Sequence, residues 1–180
     1  KICMKLIIVS GRSGSGKSTA LRTLEDAGYH CVDNLPVGLL HDLVERYANL
    51  AHGDVPKIAV CIDARSPGLE QFPELLLQLR ETAIDAQVLY LDALSPTLVK
   101  RFSETRRRHP LTDQDVDLRE AIDMEARLLS TVADLANLTI DTTRISGKNL
   151  SEQIVHRVIE HGGTSVSLLF RSFGFKHGIP

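Results

Sequence analysis

Short apolar runs alternate with longer amphipathic runs along this chain. Five of the apolar runs are four to seven residues long and rich in aliphatic and β-branched side chains; they cover residues 5–10, 30–33, 57–63, 87–92 and 138–141. Runs of this length and composition are typical of buried strands. Each run after the first ends in an aspartate. We therefore predict five strands, four of which carry an acidic side chain at their end.

The segments between the strands carry apolar residues at helical spacing. A helix is predicted over residues 19–27, because Ala20, Leu21 and Leu24 share one face and Gly28 is a typical stop residue. Further helices are predicted near residues 39–47, 69–79, 115–135 and 150–159. This alternation favours the α/β fold class, with a five-stranded parallel sheet and helices on both faces. The carboxyl ends of all strands then meet at one edge, where such folds bind ligands.

The first predicted strand leads directly into a glycine-rich loop. Residues 11–18 match the pattern G-x-x-x-x-G-K-[ST] of phosphate-binding loops (P-loops); they are Gly11, Arg12, Ser13, Gly14, Ser15, Gly16, Lys17 and Ser18. The flanking strand and helix are the context that this motif requires. Glycines let backbone N–H groups approach phosphate oxygens, and the following helix contributes the positive end of its dipole. We predict that this loop binds a nucleoside triphosphate, with catalytic Lys17 on the β- and γ-phosphates and Ser18 as a Mg²⁺ ligand.

Composition narrows the classes of protein. A chain of 180 residues with 43% hydrophobic content suits one α/β domain, and a net charge of −2 gives no general attraction to nucleic acid. The apolar runs all fall short of the roughly 18 residues that span a bilayer. The three cysteines show no C-x-x-C spacing. These features predict a cytoplasmic protein without a membrane partner.

The acidic strand ends offer a second group of ligands at the predicted edge. Asp63 follows the most hydrophobic of the later strands, so we predict that it holds Mg²⁺ together with Ser18 and is catalytic with Lys17. Arg65 supplies a guanidinium suited to phosphate oxygens, and the candidate nucleotide-binding segment comprises Asp63, Ala64, Arg65 and Ser66. In the alternative interpretation, Asp63 and Ser66 cap the helix that follows. Asp92 is assigned only to a strand-end turn.

Two further features keep alternative interpretations. Asp33 either faces a second substrate at the same edge or forms a turn with residues 34–36. The arginine-rich stretch near residue 105 is interpreted as a lid over the triphosphate or as a solvated helix end, and less favourably as a nucleic-acid patch. The spacing of seven residues between Arg101 and Arg108 predicts that both lie on one helical face. The stretch contains Arg101, Arg106, Arg107 and Arg108.

The chain changes character near its end. Residues 162–163 are both glycine, and residues 165–173 have the composition of another strand. We assign residues 1–163 to a P-loop nucleotide-binding domain. Residues 164–180 are expected to begin a C-terminal domain that this chain lacks.

Several of these segments together resemble the P-loop proteins of the RapZ/YvcJ family, described as RNase adapter proteins in enteric bacteria. The resemblance covers nearly the whole chain and includes the P-loop itself. The more specific matching segments are residues 31–36 (CVDNLP), 63–66 (DARS), 105–111 (TRRRHPL) and 172–180 (SFGFKHGIP). The family commonly has valine at the position of Ala64.

The resemblance implies a fold like that of the nucleoside-monophosphate kinases, an ATP site at residues 11–18 and a GTP-associated motif at residues 63–66. It also implies slow hydrolysis of the bound nucleotides. In enteric members the protein binds a small regulatory RNA through a basic tail, which lies beyond Pro180, and presents it to an endoribonuclease. The residues also leave open a small-molecule kinase of the nucleoside-monophosphate or shikimate kinase type, with Asp33 activating the acceptor. The oligomeric state is left open, a homo-oligomer included.

Overall fold

A five-stranded parallel sheet forms the centre of the protein in the computed structural model, which describes residues 4–50 and 53–161. The strands lie in the order β2-β3-β1-β4-β5. All five predicted strands are confirmed, although β2 and β3 each end before the aspartate of the apolar run. The strands are β1 (Met4–Gly11), β2 (His30–Val32), β3 (Lys57–Cys61), β4 (Ile84–Asp92) and β5 (Leu138–Asp141).

Seven α-helices are described, and they connect the strands or follow the last one. They are α1 (Lys17–Asp26), α2 (Leu40–Leu50), α3 (Phe72–Arg80), α4 (Ser95–Thr105), α5 (Leu118–Leu128), α6 (Ser130–Asp134) and α7 (Gly147–Ile154). A π-helical turn, Val155–Glu160, extends α7, and two short 3₁₀ turns, Val37–Leu39 and Leu69–Gln71, precede α2 and α3. Helix α1 ends as predicted, because Gly28 follows it with φ at 86°.

The core lies on both faces of the sheet. Leu6 and Ile8 of β1 belong to one buried cluster with Phe72 of α3, whereas Val9 belongs to another cluster with Leu24 of α1. Successive residues of a strand point to opposite faces, so a strand covered on both sides reads as a continuous apolar run. This packing confirms the predicted arrangement of helices on both faces. It also explains why β1 shows no alternation of polar and apolar residues.

The single helix predicted over residues 115–135 is wrong. The side chain of Asp113 accepts hydrogen bonds from the backbone N–H groups of Asp115 and Val116, which holds this segment in a turn instead of a helix. Helix α5 begins only at Leu118, after Asp117 has capped it, and a break at residue 129 separates it from α6.

Two further predictions concern the C-terminal part of the chain and its relation to a membrane. The strand predicted over residues 165–173 and the proposed boundary near residue 164 lie outside the described residues. Among the helices of residues 4–50 and 53–161, none combines the length and the apolar character needed to cross a membrane.

Candidate functional site

The glycine-rich loop lies at the carboxyl edge of the sheet, between β1 and α1. Gly11, Gly14 and Gly16 have φ angles of 145°, 83° and 112°, which residues with a side chain rarely adopt. A Cβ atom on Gly11 would lie 2.0 Å from the carbonyl oxygen of Leu91, and one on Gly16 would lie 2.6 Å from a methyl group of Leu150. The backbone path of the loop therefore requires glycine at both of these positions.

The tip of the loop is held by three other elements. The backbone N–H and the hydroxyl of Ser13 both donate to the carboxylate of Glu125 in α5, at 2.9 and 2.7 Å. The carbonyl oxygen of Gly14 accepts from Arg101 of α4 at 2.8 Å. The carbonyl oxygen of Ser15 accepts from the hydroxyl of Thr142, just after β5, at 2.7 Å. We call these contacts of Glu125, Arg101 and Thr142 the braces of the loop.

Arg12 anchors the loop to the end of β4. Its side chain is 9% exposed and forms an ion pair with Asp92 at 2.8 Å. It also donates to the hydroxyl of Ser95 and to the carbonyl oxygen of Ala93. The assignment of Asp92 to a simple turn is thus incomplete, since its carboxylate accepts from the N–H of Ala93 and also binds Arg12. The guanidinium of Arg12 therefore holds the loop against the segment that follows β4.

Lys17 and Ser18 lie in the first turn of α1. The ammonium group of Lys17 folds over the loop and donates to the carbonyl oxygen of Gly11 at 2.7 Å. Ser18 is exposed. A lysine charge and a hydroxyl at the N-terminus of a helix are the groups that a P-loop directs at phosphates and their metal ion.

The carboxylate of Asp63 lies close enough to Lys17 to sense its charge. Burial raises the pKa of Asp63, but the hydrogen bonds from Arg65 and the charges of Arg65 and Lys17 outweigh it, so the net shift is downward. The side chain of Arg65 lies 2.6 Å from the Asp63 carboxylate, and its backbone N–H donates to the same group at 2.8 Å. Asp63 is therefore ionised at neutral pH, and its carboxylate is held by the side chain and the backbone N–H of Arg65.

Ser66 does not cap the following helix, so that alternative is wrong for this residue. Its hydroxyl accepts from the N–H of Val37 at 3.0 Å and donates to the carbonyl oxygen of Leu35 at 3.2 Å. The next helical turn begins only at Leu69, with Gly68 before it. Ser66 instead ties the segment after β3 to the segment after β2.

The segment after β2 forms the turn that one interpretation of Asp33 predicted. Asn34 has a φ of 53°, and the N–H of Leu35 donates to the carbonyl oxygen of Cys61 at 3.0 Å. Asp33 itself is exposed at the edge of the sheet. Asp33 lies near Arg65: the pKa of Arg65 is raised first by its hydrogen bond to Asp63 and to a smaller extent by the charges of Glu125 and Asp33. A role of Asp33 toward a second substrate stays a prediction.

The arginine-rich stretch does not form one helical face, so that prediction is wrong. Helix α4 ends at Thr105, because Arg106 adopts a left-handed φ of 52°. Arg101 points from α4 into the loop, whereas Arg108 donates to the carbonyl oxygen of Thr112 at 2.9 Å. We call residues 106–112 the arginine turn.

Glu125 was not predicted from the sequence to belong to the site, although at 2% exposure it is the most buried charged group near the loop. Burial raises the pKa of Glu125, but hydrogen bonds from His109 and Ser13 and the charge of Lys17 lower it more, so it is ionised at neutral pH. A signal was present, because Glu125 falls at helical spacing among Ala121, Ile122 and other apolar residues of α5. A glutamate in the apolar stripe of an amphipathic helix needs a buried partner.

The fold is like that of solved P-loop kinases. Shikimate kinase from Acinetobacter baumannii superimposes with a TM-score of 0.55 at 16% identity, over 91% of this chain and 97% of that chain. This likeness concerns the fold. It confirms the predicted fold class, and the strand order and the position of the glycine-rich loop agree with it.

The family follows from more similar sequences. The model of the RapZ-like N-terminal domain matches residues 4–162, and the chain belongs to this family. Proteins called nucleotide-binding protein are 53% identical in Ectopseudomonas mendocina (strain ymp), over 179 residues, and 51% identical in Hahella chejuensis (strain KCTC 2396). The matches cover 98% of this chain but 63% of each relative. The resemblance inferred from the sequence is thus confirmed.

Proposed function

We propose that this chain binds the Mg²⁺ complexes of ATP and GTP at residues 11–18 and hydrolyses them slowly, as the nucleotide-sensing part of a regulatory protein. The observation that carries the proposal is the braced glycine loop at the carboxyl edge of the sheet, with Lys17 beside an ionised Asp63. The names of the relatives support nucleotide binding. The chain spans 63% of their length, so the activity of the whole protein is part of the proposal.

The proposed roles follow from the positions of the side chains. The backbone N–H groups of the loop bind phosphate oxygens, and Lys17 binds the β- and γ-phosphates. The hydroxyl of Ser18 and the carboxylate of Asp63 are hard oxygen ligands of the kind that Mg²⁺ prefers, and the lowered pKa of Asp63 keeps it in the ligating form. Bound Mg²⁺ neutralises charge on the phosphate oxygens. Arg65 is the second cation at the site, and Ala64 and Ser66 shape the segment that carries it.

We place this function in the cytoplasm, in keeping with the free thiols of Cys31 and Cys61. For the whole protein we propose the RNase adapter role that the family resemblance implies. It requires a small regulatory RNA and an endoribonuclease, both bound through a C-terminal domain. Nucleotide binding in the present domain then regulates this adapter role.

The central test is the substitution Lys17→Ala. Loss of one charge-assisted contact of about 1.5–3 kcal/mol predicts a Kd for Mg-ATP that is roughly ten to a hundred times higher, with a similar loss for Mg-GTP. Titration of a fluorescent nucleotide analogue measures the change. The matched control is Lys100→Ala, since Lys100 is 77% exposed in α4 and forms only a 3.8 Å pair with Glu104. Unchanged affinity in Lys17→Ala would reject the proposed site.

A small-molecule phosphotransferase is the second candidate function. It is favoured by the likeness of the fold to a kinase and by Asp33, which lies at the same edge as Arg65. This function predicts that an added metabolite gains phosphate faster than free phosphate appears, and that Asp33→Asn abolishes the transfer alone. Hydrolysis without transfer across a panel of metabolites would count against it.

The RNA partner is tested on two lengths of chain. The proposal predicts RNA binding with a steep salt dependence for a chain that includes the C-terminal domain, and weak or no binding for the present chain. Gel-shift assays at low and high salt distinguish the two. Equal binding by both chains would instead assign RNA recognition to the present domain, with the arginine turn as the first surface to examine.

A further inference from the structure

A buried histidine and a buried glutamate connect the P-loop to the arginine turn. His109 and Glu125 are each 2% exposed. The Nε2 atom of His109 lies 2.9 Å from a carboxylate oxygen of Glu125, and the same oxygen accepts the backbone N–H of Ser13. The other carboxylate oxygen accepts the hydroxyl of Ser13. One carboxylate therefore receives three hydrogen bonds, two of which come from the tip of the P-loop.

The hydrogen bonds also define the tautomer of His109. Its Nδ1 atom accepts the backbone N–H of Leu111 at 3.1 Å, so Nδ1 carries no hydrogen. The ring is then neutral, and Nε2 donates its hydrogen to Glu125. Phe102 packs against the ring, with the two ring centroids 5.1 Å apart. These contacts fix the imidazole in one orientation toward the carboxylate.

A buried carboxylate is costly unless it is hydrogen-bonded, and here the three donors compensate the cost. Glu125 would be an unusual choice for filling space in an apolar helix face, where leucine would suffice. Its placement is explained by what it binds, because a side chain with two acceptor oxygens can hold both the backbone and the side chain of Ser13. The contact joins residues 112 positions apart in the chain.

We propose that Glu125 is a positioning residue of the nucleotide site, which sets the conformation of the P-loop at Ser13, and that His109 positions Glu125. Neither residue is placed on the phosphates. The consequence for nucleotide affinity rests on the function proposed above, whereas the effect on the loop itself does not depend on it. The loop at Ser13 is thus fixed by two residues that the P-loop motif does not contain.

Two substitutions of Glu125 separate its geometry from its charge. In Glu125→Gln the amide oxygen can accept from Ser13 N–H and His109, and the amide nitrogen can donate to the Ser13 hydroxyl, so all three contacts survive. In Glu125→Ala they are lost. His109→Ala removes one donor to Glu125, and Ser13→Ala removes only the hydroxyl bond, so these variants keep the test open if Glu125→Ala fails to fold.

The first measurement is amide hydrogen exchange at Ser13 by NMR, in the absence of nucleotide. The Ser13 amide should exchange roughly ten to a hundred times faster in Glu125→Ala, in line with the loss of a hydrogen bond to a charged group, and His109→Ala should show a smaller increase. Glu125→Gln should stay within about threefold of the wild type. Amides of β1 such as Val9 exchange through global unfolding, so their rates show how much of the change at Ser13 comes from a loss of overall stability. Unchanged protection of Ser13 in Glu125→Ala would overturn the proposal.

The second measurement is the Kd for Mg-ATP of the same variants. We expect a rise of about tenfold in Glu125→Ala, rescue in Glu125→Gln, and a rise of a few-fold in Ser13→Ala. Loss of Ser13 protection with unchanged affinity would overturn the positioning role. If the wild type itself binds neither ATP nor GTP, the proposed function fails, while the exchange data still decide whether Glu125 holds the loop.

Discussion

The P-loop and the segment at residues 63–66 lie at the ends of neighbouring strands and each contains an arginine paired with an aspartate, yet the two pairs differ. Arg12 reaches Asp92, 80 residues away, and its side chain is 9% exposed. Arg65 reaches Asp63, two residues away, and its side chain is 49% exposed. The first pair joins residues that are far apart in the sequence, and the second closes a local turn.

An arginine–aspartate pair can therefore have different roles at two places on the same sheet edge. Arg12 is committed to the scaffold, because a carboxylate, a hydroxyl and a carbonyl oxygen surround it. Arg65 keeps half of its side chain in solvent and is free to exchange its partner for another anion. The motif at residues 11–18 therefore contains a structural arginine, and residues 63–66 contain the one suited to a ligand.

The close packing of the P-loop predicts that Gly11→Ala is the most destabilising of the substitutions considered. The added Cβ would clash with the carbonyl oxygen of Leu91 at 2.0 Å and would require a φ of 145°, so the loop must move. We expect a loss of at least about 3 kcal/mol in the free energy of unfolding, measured by urea denaturation.

Two other glycines are the controls for this substitution. Gly28 has a positive φ, but a Cβ added there would meet no atom within 4 Å, so Gly28→Ala should lose about 1 kcal/mol. Gly38 has neither restriction, and Gly38→Ala should be neutral or slightly stabilising. Equal losses at Gly11 and Gly28 would show that the close approach to Leu91 is unimportant.

The next effect compares the two arginines directly. Arg12→Met removes a buried cation from three acceptors, and we expect a loss of about 2–3 kcal/mol, moderated because the Asp92 side chain is 39% exposed. Arg65→Met should lose less than about 1 kcal/mol, because the pair is largely screened by solvent. Urea denaturation of both variants measures the difference. A larger loss at Arg65 would reverse the roles assigned here.

Much of this arrangement was predictable from local patterns. The strands are short apolar runs covered on both faces, and the P-loop carries its own glycines, so both signals lie within a few consecutive residues. The left-handed turn at Arg106 was not predictable in this way, because no glycine or proline stands at that position. Because this turn was not foreseen, residue spacing predicted neither the end of α4 nor the direction of Arg108.

The braces of the loop were unpredictable for a different reason. Glu125, Arg101 and Thr142 come from three elements that meet the loop only after the sheet has formed. Their hydrogen bonds depend on how α4, α5 and the end of β5 meet the loop between β1 and α1. The P-loop motif contains the glycines that its backbone path requires, but it does not contain the braces that hold the loop from other elements.

The pair of Asp63 and Arg65 also predicts a small pH dependence of stability. The pKa of Asp63 is lower in the folded protein than its ordinary value, so between the two values the unfolded chain binds more protons. The contribution of Asp63 is therefore fully present above its unfolded pKa and is lost as the pH falls through the folded pKa. In Asp63→Asn the unfolding free energy should fall less steeply on acidification below about pH 4, by under about 1 kcal/mol in total, because Arg65 is half exposed. Urea denaturation from about pH 6 to about pH 3 measures this slope, with the exposed Asp26→Asn as the control. An unchanged slope would mean that Arg65 does not stabilise the ionised form, and that Asp63 and Arg65 are not coupled in solution.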